Sequence, residues 1–182
     1  MKKIQALIIV LLIPLFVVCQ DLHLSQKINL QNSVQIDLGG HGLLYSINYE
    51  RIFINNNAFK TAGQIGISYY PPSSGIRDVW IPIGINELFS FNNHHLETGL
   101  GLVIIREATR NIDNSPNYWF WSWLYSGRIG YRYQKPNGRL ILRVGFTPLL
   151  ETSLLNESDI NNVGGLRLEF HPLPVVSIGY NF

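Results

Sequence analysis

From Val34 to the last residue the chain repeatedly alternates apolar and polar side chains with a period of two. Only an extended strand sorts such a pattern onto two faces. Val34, Ile36 and Leu38 oppose Gln35 and Asp37; after Gly39-Gly40-His41-Gly42, the residues Leu43, Tyr45, Ile47 and Tyr49 oppose Ser46, Asn48 and Glu50. The change of phase across those glycines marks a tight turn or a bulge. The pattern returns through Gly63–Tyr69, Val79–Asn86, Leu96–Ile104, Trp123–Tyr133, Leu140–Phe146 and Val176–Phe182. These runs predict eight strands, at about 33–39, 43–54, 61–70, 79–89, 95–105, 122–134, 139–147 and 174–182.

Alternation fits a soluble sandwich as well as a membrane barrel, so other features must decide. The apolar face repeatedly ends in Tyr, Trp or Phe, as an interfacial girdle does, and the opposite face is rich in Gly, Ser, Asn and charge, as a narrow lumen is. The expected fold is therefore all-β: a transmembrane antiparallel barrel of about eight strands spanning 33–182, in the bacterial outer membrane. Short connections at 55–60, 90–94 and 135–138 belong in the periplasm with both termini, and longer ones at 71–78, 106–121 and 148–173 belong outside. Gly164–Phe170 shares the parity of the last strand and reads as its outward extension; a ninth or tenth strand paired with Glu151–Leu155 is the alternative.

The beginning of the chain agrees with export. Lys2 and Lys3 precede an apolar run from Ile4 to Val18, which gives way to polarity at Gln20 and Asp21. This is the pattern of a signal peptide over 1–19, followed by a short periplasmic segment at 20–32. The run is shorter than the ~20 residues of a spanning helix and contains Pro14. Cys19 raises the alternative of a lipoprotein, although Val18 before it is a poor match for the small residue such processing prefers. As the single cysteine it excludes an internal disulfide and a cysteine zinc site. Of 14 basic and 12 acidic residues, Lys2 and Lys3 leave with the leader, so the mature chain is near neutrality and lacks the basic stripe of a nucleic-acid binder.

The end of the chain, Val176, Ile178, Tyr180 and Phe182, resembles the C-terminal signal by which outer-membrane barrels are recognised by the assembly machinery. The stretches Gly39–Arg51, Tyr131–Gly138 and Arg143–Leu149 resemble those of small outer-membrane β-barrel proteins of the Bacteroidetes type. The resemblance implies architecture and address, with outer-membrane lipid and the assembly machinery as partners, and it carries over no active site.

Six charged residues fall on the inferred lumen face: Asp37, Glu50 and Glu97 with Arg128, Arg132 and Arg143. An eight-stranded barrel has room only for side chains to fill it, so these charges must neutralise one another, and the planar fork of Arg suits carboxylate. A plug of paired charges is favoured over a gated ion path. Tyr118, Trp119, Phe120, Trp121, Trp123 and Tyr125 form an aromatic cluster that reads as an outer girdle, or as a loop surface for sugar or an apolar ligand that the sequence does not identify. His94 and His95 are adjacent and would point to opposite faces, which disfavours joint metal binding; they read as turn histidines at a membrane edge. Ser46, Ser68, Ser126 and Ser177 fall inward, so no outward Ser/His pair is formed, and no catalytic, cofactor or metal motif appears. The chain reads as a non-enzymatic structural or surface-interaction protein, with a lipid-modifying barrel enzyme of the lipid A deacylase kind, or a narrow channel, as alternatives. Replacing Phe182 by Ala, or deleting it, is expected to lower barrel insertion with little effect on synthesis or export; normal barrel levels after both changes would show that the terminal likeness is incidental.

Overall fold

The computed structural model describes residues 26–71, 79–110, 116–154 and 166–182. The leader, Cys19 and the rest of 1–25 lie outside the described residues, as do 72–78, 111–115 and 155–165. Eight strands, β1 (Asn32–Gly39), β2 (Tyr45–Asn55), β3 (Phe59–Tyr69), β4 (Val79–Phe91), β5 (His94–Arg110), β6 (Pro116–Gln134), β7 (Leu140–Leu154) and β8 (Leu166–Asn181), follow one another in space. Each pairs antiparallel with its neighbours, and β1 pairs with β8 from Ser33↔Asn181 to Gly39↔Val175, which closes the barrel.

The parity expected from the sequence holds on the wall. Ile36, Ile47, Ile67, Ile85, Leu102, Ile129, Val144 and Ile178 all point outward and are exposed, whereas Gln35, Ser46, Asn48, Gln64, Ser126 and Ser177 are buried in the interior. A soluble barrel would have the opposite sense, because contiguous apolar surface of this extent is not left in water.

Two departures have physical causes. Leu43 does not begin β2: it has φ 67 and is half-buried, packed against buried apolar side chains, because the single 3-10 turn at Gly40–Gly42 tucks the chain inward before Tyr45. The spans read as long outer loops, 106–121 and 148–173, are largely strand: β5 and β6 pair up to Arg110↔Pro116, and β7 and β8 up to Leu154↔Leu166. The residues 166–170 extend β8 and Glu151–Leu154 extend β7, so they pair with each other without adding strands. Apolar alternation marks the part of the wall whose outer face is apolar, and it fades where the β5–β6 and β7–β8 hairpins continue beyond it. The outward extension of the last strand expected from its parity is thus present from Leu166, and Pro172 and Pro174 stand on β8 beyond its pairing with β1, on an edge where a missing N–H costs nothing. Pro148 is accommodated on β7 because Gly127, on the neighbouring β6, has no side chain to meet it: a Cβ there would lie 3.0 Å from the proline ring.

At the end that carries the termini, the residues just before β1 pack on the barrel: Ile28 is buried with Ile52, Ala62 and Leu88, and Asn55 brackets it by accepting from its N–H at 3.1 Å and donating to its carbonyl at 2.6 Å. Asn29 N–H donates to the Pro136 carbonyl at 2.9 Å, and Ile52 N–H to that of Gln31 at 2.9 Å. The segment thus forms a floor.

Gly39 has φ 81 and ψ −160, a conformation essentially reserved for glycine, and a Cβ there would overlap the carbonyl of Pro174. Gly63 is unstrained, and a Cβ would meet Phe53 at 3.5 Å, an ordinary contact. Gly39→Ala is expected to cost on the order of 1–3 kcal/mol, read as a lower urea midpoint of the folded barrel, and Gly63→Ala to leave that midpoint near wild type.

Candidate functional site

The inward side chains form three layers. At the end away from the termini Tyr70, Trp80, Val103, Ile105, Leu124 and Leu149 make an apolar cluster, with Leu43 and Leu173 packed against it. Nearest the termini lie Ile28 and its apolar neighbours, together with Lys60, Ser90 and His95. Between them sits the charge.

Arg132 on β6 and Arg143 on β7 are cross-strand partners, an arrangement of like charges that is unfavourable by itself. Glu50, from β2, reaches both: its Oε1 lies 2.7 Å from Arg132 Nη1 and its Oε2 2.5 Å from Arg143 Nη2. Asn86 Nδ2 donates to Oε2 of Glu50 at 3.2 Å and to Gln64 Oε1 at 2.9 Å. Glu97, from β5, adds a second acid, 3.2 Å from Arg143 Nε and 4.0 Å from Arg132 Nη1 through Oε2, and 3.3 Å from Arg128 Nη1 through Oε1. Arg128 Nη2 also meets Asp37 Oδ2 at 2.7 Å and donates to His41 Nδ1 at 3.3 Å, which requires that nitrogen to be the unprotonated one. The structure therefore brings all six sequence-identified charges into one network, and none of the six is more than 5% exposed.

The barrel makes room for these long side chains with glycine. Gly130 and Gly145 face each other across β6 and β7, and a Cβ on Gly130 would come within 2.6 Å of the Val144 carbonyl. Their absence of side chains leaves the interior free beside Arg128, Arg143 and Glu97, which line the small space there.

Several interior groups were not singled out in the sequence. Lys60 donates to the Asn57 carbonyl and to Ser90 Oγ, both at 2.8 Å; His95 Nδ1 lies 2.8 Å from the same Oγ and its Nε2 3.1 Å from the Gln134 carbonyl. A carbonyl only accepts, so His95 carries its proton on Nε2 and takes the Ser90 hydroxyl proton at Nδ1. Lys60 and Ser90 lie at strand margins: the sequence pattern puts the start of β3 at 61, two residues after its start at Phe59, and places Ser90 in a short connection, whereas β4 runs to Phe91. His41 had no signal at all, because a 3-10 turn has no face parity.

His94 and His95 do diverge: His94 points outward, its Nδ1 2.5 Å from Tyr131 Oη, whereas His95 is buried rather than a turn residue at the membrane edge. The correction is physical, since β5 begins at His94 and parity turns His95 into the lumen. Trp119, Trp121, Trp123 and Tyr125 lie on the outward face of β6, 46% to 60% exposed, and the Arg106 guanidinium stacks 4.0 Å over the Trp119 ring. Tyr118 and Phe120 belong to the same strand, with side chains outside the described residues. Val176, Ile178 and Tyr180 face outward on β8, and Phe182 is exposed just beyond it, exchanging backbone hydrogen bonds with Asn32 at 2.8 and 3.3 Å. Among the described residues no group of three metal-ligating side chains is formed.

These features define a class: a closed eight-stranded antiparallel β-barrel with an apolar exterior and a charge-paired interior. Among solved structures, the crystal structure of the N-terminal β-barrel domain of Pseudomonas aeruginosa OprF is similar to this chain, with a TM-score of 0.52 at 10% identity, covering 86% of this chain and 100% of that one. The likeness is one of fold. No protein-family model and no curated protein matches the sequence.

Glu50→Gln removes the carboxylate that lies nearest to both Arg132 and Arg143. It is expected to destabilise the barrel by ~3 to 5 kcal/mol, the scale for stranding one side of a buried ion pair, and the loss should appear as a lower urea midpoint.

Proposed function

We propose that the protein is an outer-membrane β-barrel with both termini in the periplasm, a non-enzymatic structural or surface-interaction protein whose lumen is sealed by side chains. The carrying observation is the inverted polarity of the wall: Ile, Leu and Val outside, paired charge within. Lipid is the solvent that favours such an exterior, and a closed barrel leaves no unpaired strand edge within it. The likeness to the OprF barrel supports the same address. Tyr45 and Tyr69 with the tryptophans of β6 ring one end, and Phe59, Phe89, Tyr131, Tyr180 and Phe182 ring the other, as interfacial belts do.

The sealed reading is favoured over a channel because charge is stacked between two apolar layers. An ion entering from either end would meet Trp80 and Leu124, or Ile28 and Leu88 with Lys60 beside them, before the carboxylates of Asp37, Glu50 and Glu97. Each layer removes water that the ion would have to keep. The non-enzymatic reading is favoured because the hydrogen-bonded Ser90 and His95 are enclosed in the lumen, away from lipid substrate. Within this architecture we assign the chain to the small Bacteroidetes-type barrels, and we take its last strand as the element recognised by the barrel-assembly machinery.

The test is fractionation with conductance. The mature protein is expected to sediment with the outer membrane and to migrate differently on a gel before and after boiling, and in planar bilayers it should show no sustained large conductance. A soluble periplasmic form as the main species would overturn the address; a steady ion-selective current would put the channel ahead of the sealed barrel.

A further inference from the structure

We propose that Arg51 and Glu87 form a site on the lipid-facing wall, near the end that carries the termini, for a zwitterionic phospholipid headgroup with a phosphate and a primary ammonium, as in phosphatidylethanolamine. The inference rests on the membrane reading above. In the half of the wall nearest the termini, Arg51 and Glu87 are the two acidic or basic side chains of Asp, Glu, Lys or Arg type that the described strands turn outward. Each stands four residues before the end of a strand running toward that rim, Arg51 before Asn55 on β2 and Glu87 before Phe91 on β4. That depth is where headgroups meet the outer end of the acyl chains, and it lies just inside the aromatic pair Phe59 and Phe89, whose ring centroids are 5.6 Å apart.

The register sets their separation. Arg51 pairs with Gly63 and Gly63 with Ile85, whereas Glu87 pairs with Thr61, so two strand spacings and a two-residue offset separate the backbones by about 12 Å. The Phe53 ring lies against Gly63 between them, and no ion pair joins Arg51 and Glu87 to each other. Thr61 Oγ1 donates to Glu87 Oε2 at 2.9 Å, which fixes the carboxylate and leaves Oε1 to a ligand. Thr98 stands across from Glu87 on β5, and a shallow groove beside them is lined by Ile85, Glu87, Thr98, Gly99 and Leu100. Leu100 is 80% exposed, so the groove lacks a protein cover on that side.

Charge complementarity selects the occupant. A guanidinium recognises phosphate through parallel N–H bonds, and a carboxylate needs an N–H donor. A headgroup with phosphate and ammonium supplies both at once and can straddle Phe53. A glycerol headgroup would serve Arg51 and leave Glu87 facing net negative charge; choline would bring a cation with no N–H to donate. The acyl chains then continue upward along the apolar wall.

The experiment is native mass spectrometry of the purified barrel with equal amounts of phosphatidylethanolamine, phosphatidylglycerol and phosphatidylcholine. Phosphatidylethanolamine is expected to be retained ~fivefold over phosphatidylcholine, on the scale of one charge-assisted hydrogen bond. Glu87→Gln should abolish that preference without reducing phosphatidylglycerol binding, Arg51→Ala should weaken both, and Arg106→Ala at the opposite rim should change neither. Equal retention of the three lipids, or a preference that survives Glu87→Gln, would overturn the site. Insertion into vesicles of phosphatidylcholine and phosphatidylglycerol, assayed by protease protection, separates the two claims. A barrel that inserts but shows no preference loses only the headgroup site, and one that inserts into no vesicle loses the membrane reading and the site together.

Discussion

Closure of the sheet between β1 and β8 is the constraint on which everything else depends. A wall exposed to lipid has no water to satisfy its backbone, so every N–H and C=O in that zone must find a neighbouring strand. The ladder from Ser33↔Asn181 to Gly39↔Val175 supplies the last set of partners. Once the cylinder is closed, alternate side chains are committed to its two sides. Eight strands then enclose only enough space for side chains, and charges that enter must arrive already matched. Glu50 between Arg132 and Arg143 is the clearest case, since the two like charges stand at cross-strand distance and Glu50, with Glu97 beside it, offsets them.

The same constraint explains what the sequence could and could not reveal. Lipid contact demands an apolar residue at every second position, so the strands through Val34–Leu38, Ile81–Ile85 or Val176–Tyr180 were legible from period alone, as was the inward parity of Asp37, Glu50, Arg128 and Arg143. Parity gives a face but no height, and it does not say which acid meets which base. The contact between Asp37 and Arg128 spans 91 positions and depends on the curvature of the whole barrel. His41 enters the lumen through a turn, and Ile28 through a segment before the first strand; neither follows any period. Beyond the apolar band the β5–β6 and β7–β8 hairpins continue because their own ladders sustain them, and there the apolar code that marked strands elsewhere no longer applies.

The interior is also less uniformly polar than its sequence face implied. Trp80, Val103, Ile105 and Leu124 share the inward parity of the charges, yet they gather above the ionic layer, while Ile52, Ala62 and Leu88 gather below it with Ile28. These apolar layers keep water from the ion pairs, which strengthens the electrostatic attraction and raises the cost of losing either partner. Stability and closure to ions therefore come from one arrangement. The barrel's outer surface differs between its two ends as well: the β5–β6 and β7–β8 hairpins rise beyond the β1–β2 turn at one end, while Phe59, Phe89 and the Asn32–Phe182 junction define a compact rim at the other.

The central claim is that the apolar face of the wall is in lipid and the polar face is enclosed. Single spin labels placed along β5 from Leu96 to Ile105 in vesicle-reconstituted protein test it most directly, by comparing collisions with oxygen, which concentrates in lipid, and with a water-soluble nickel chelate. The account predicts a period of two, with positions 96, 98, 100, 102 and 104 open to oxygen and closed to nickel, and the alternate positions shielded from both. Outward positions that collide freely with nickel, or inward positions that do, would contradict it.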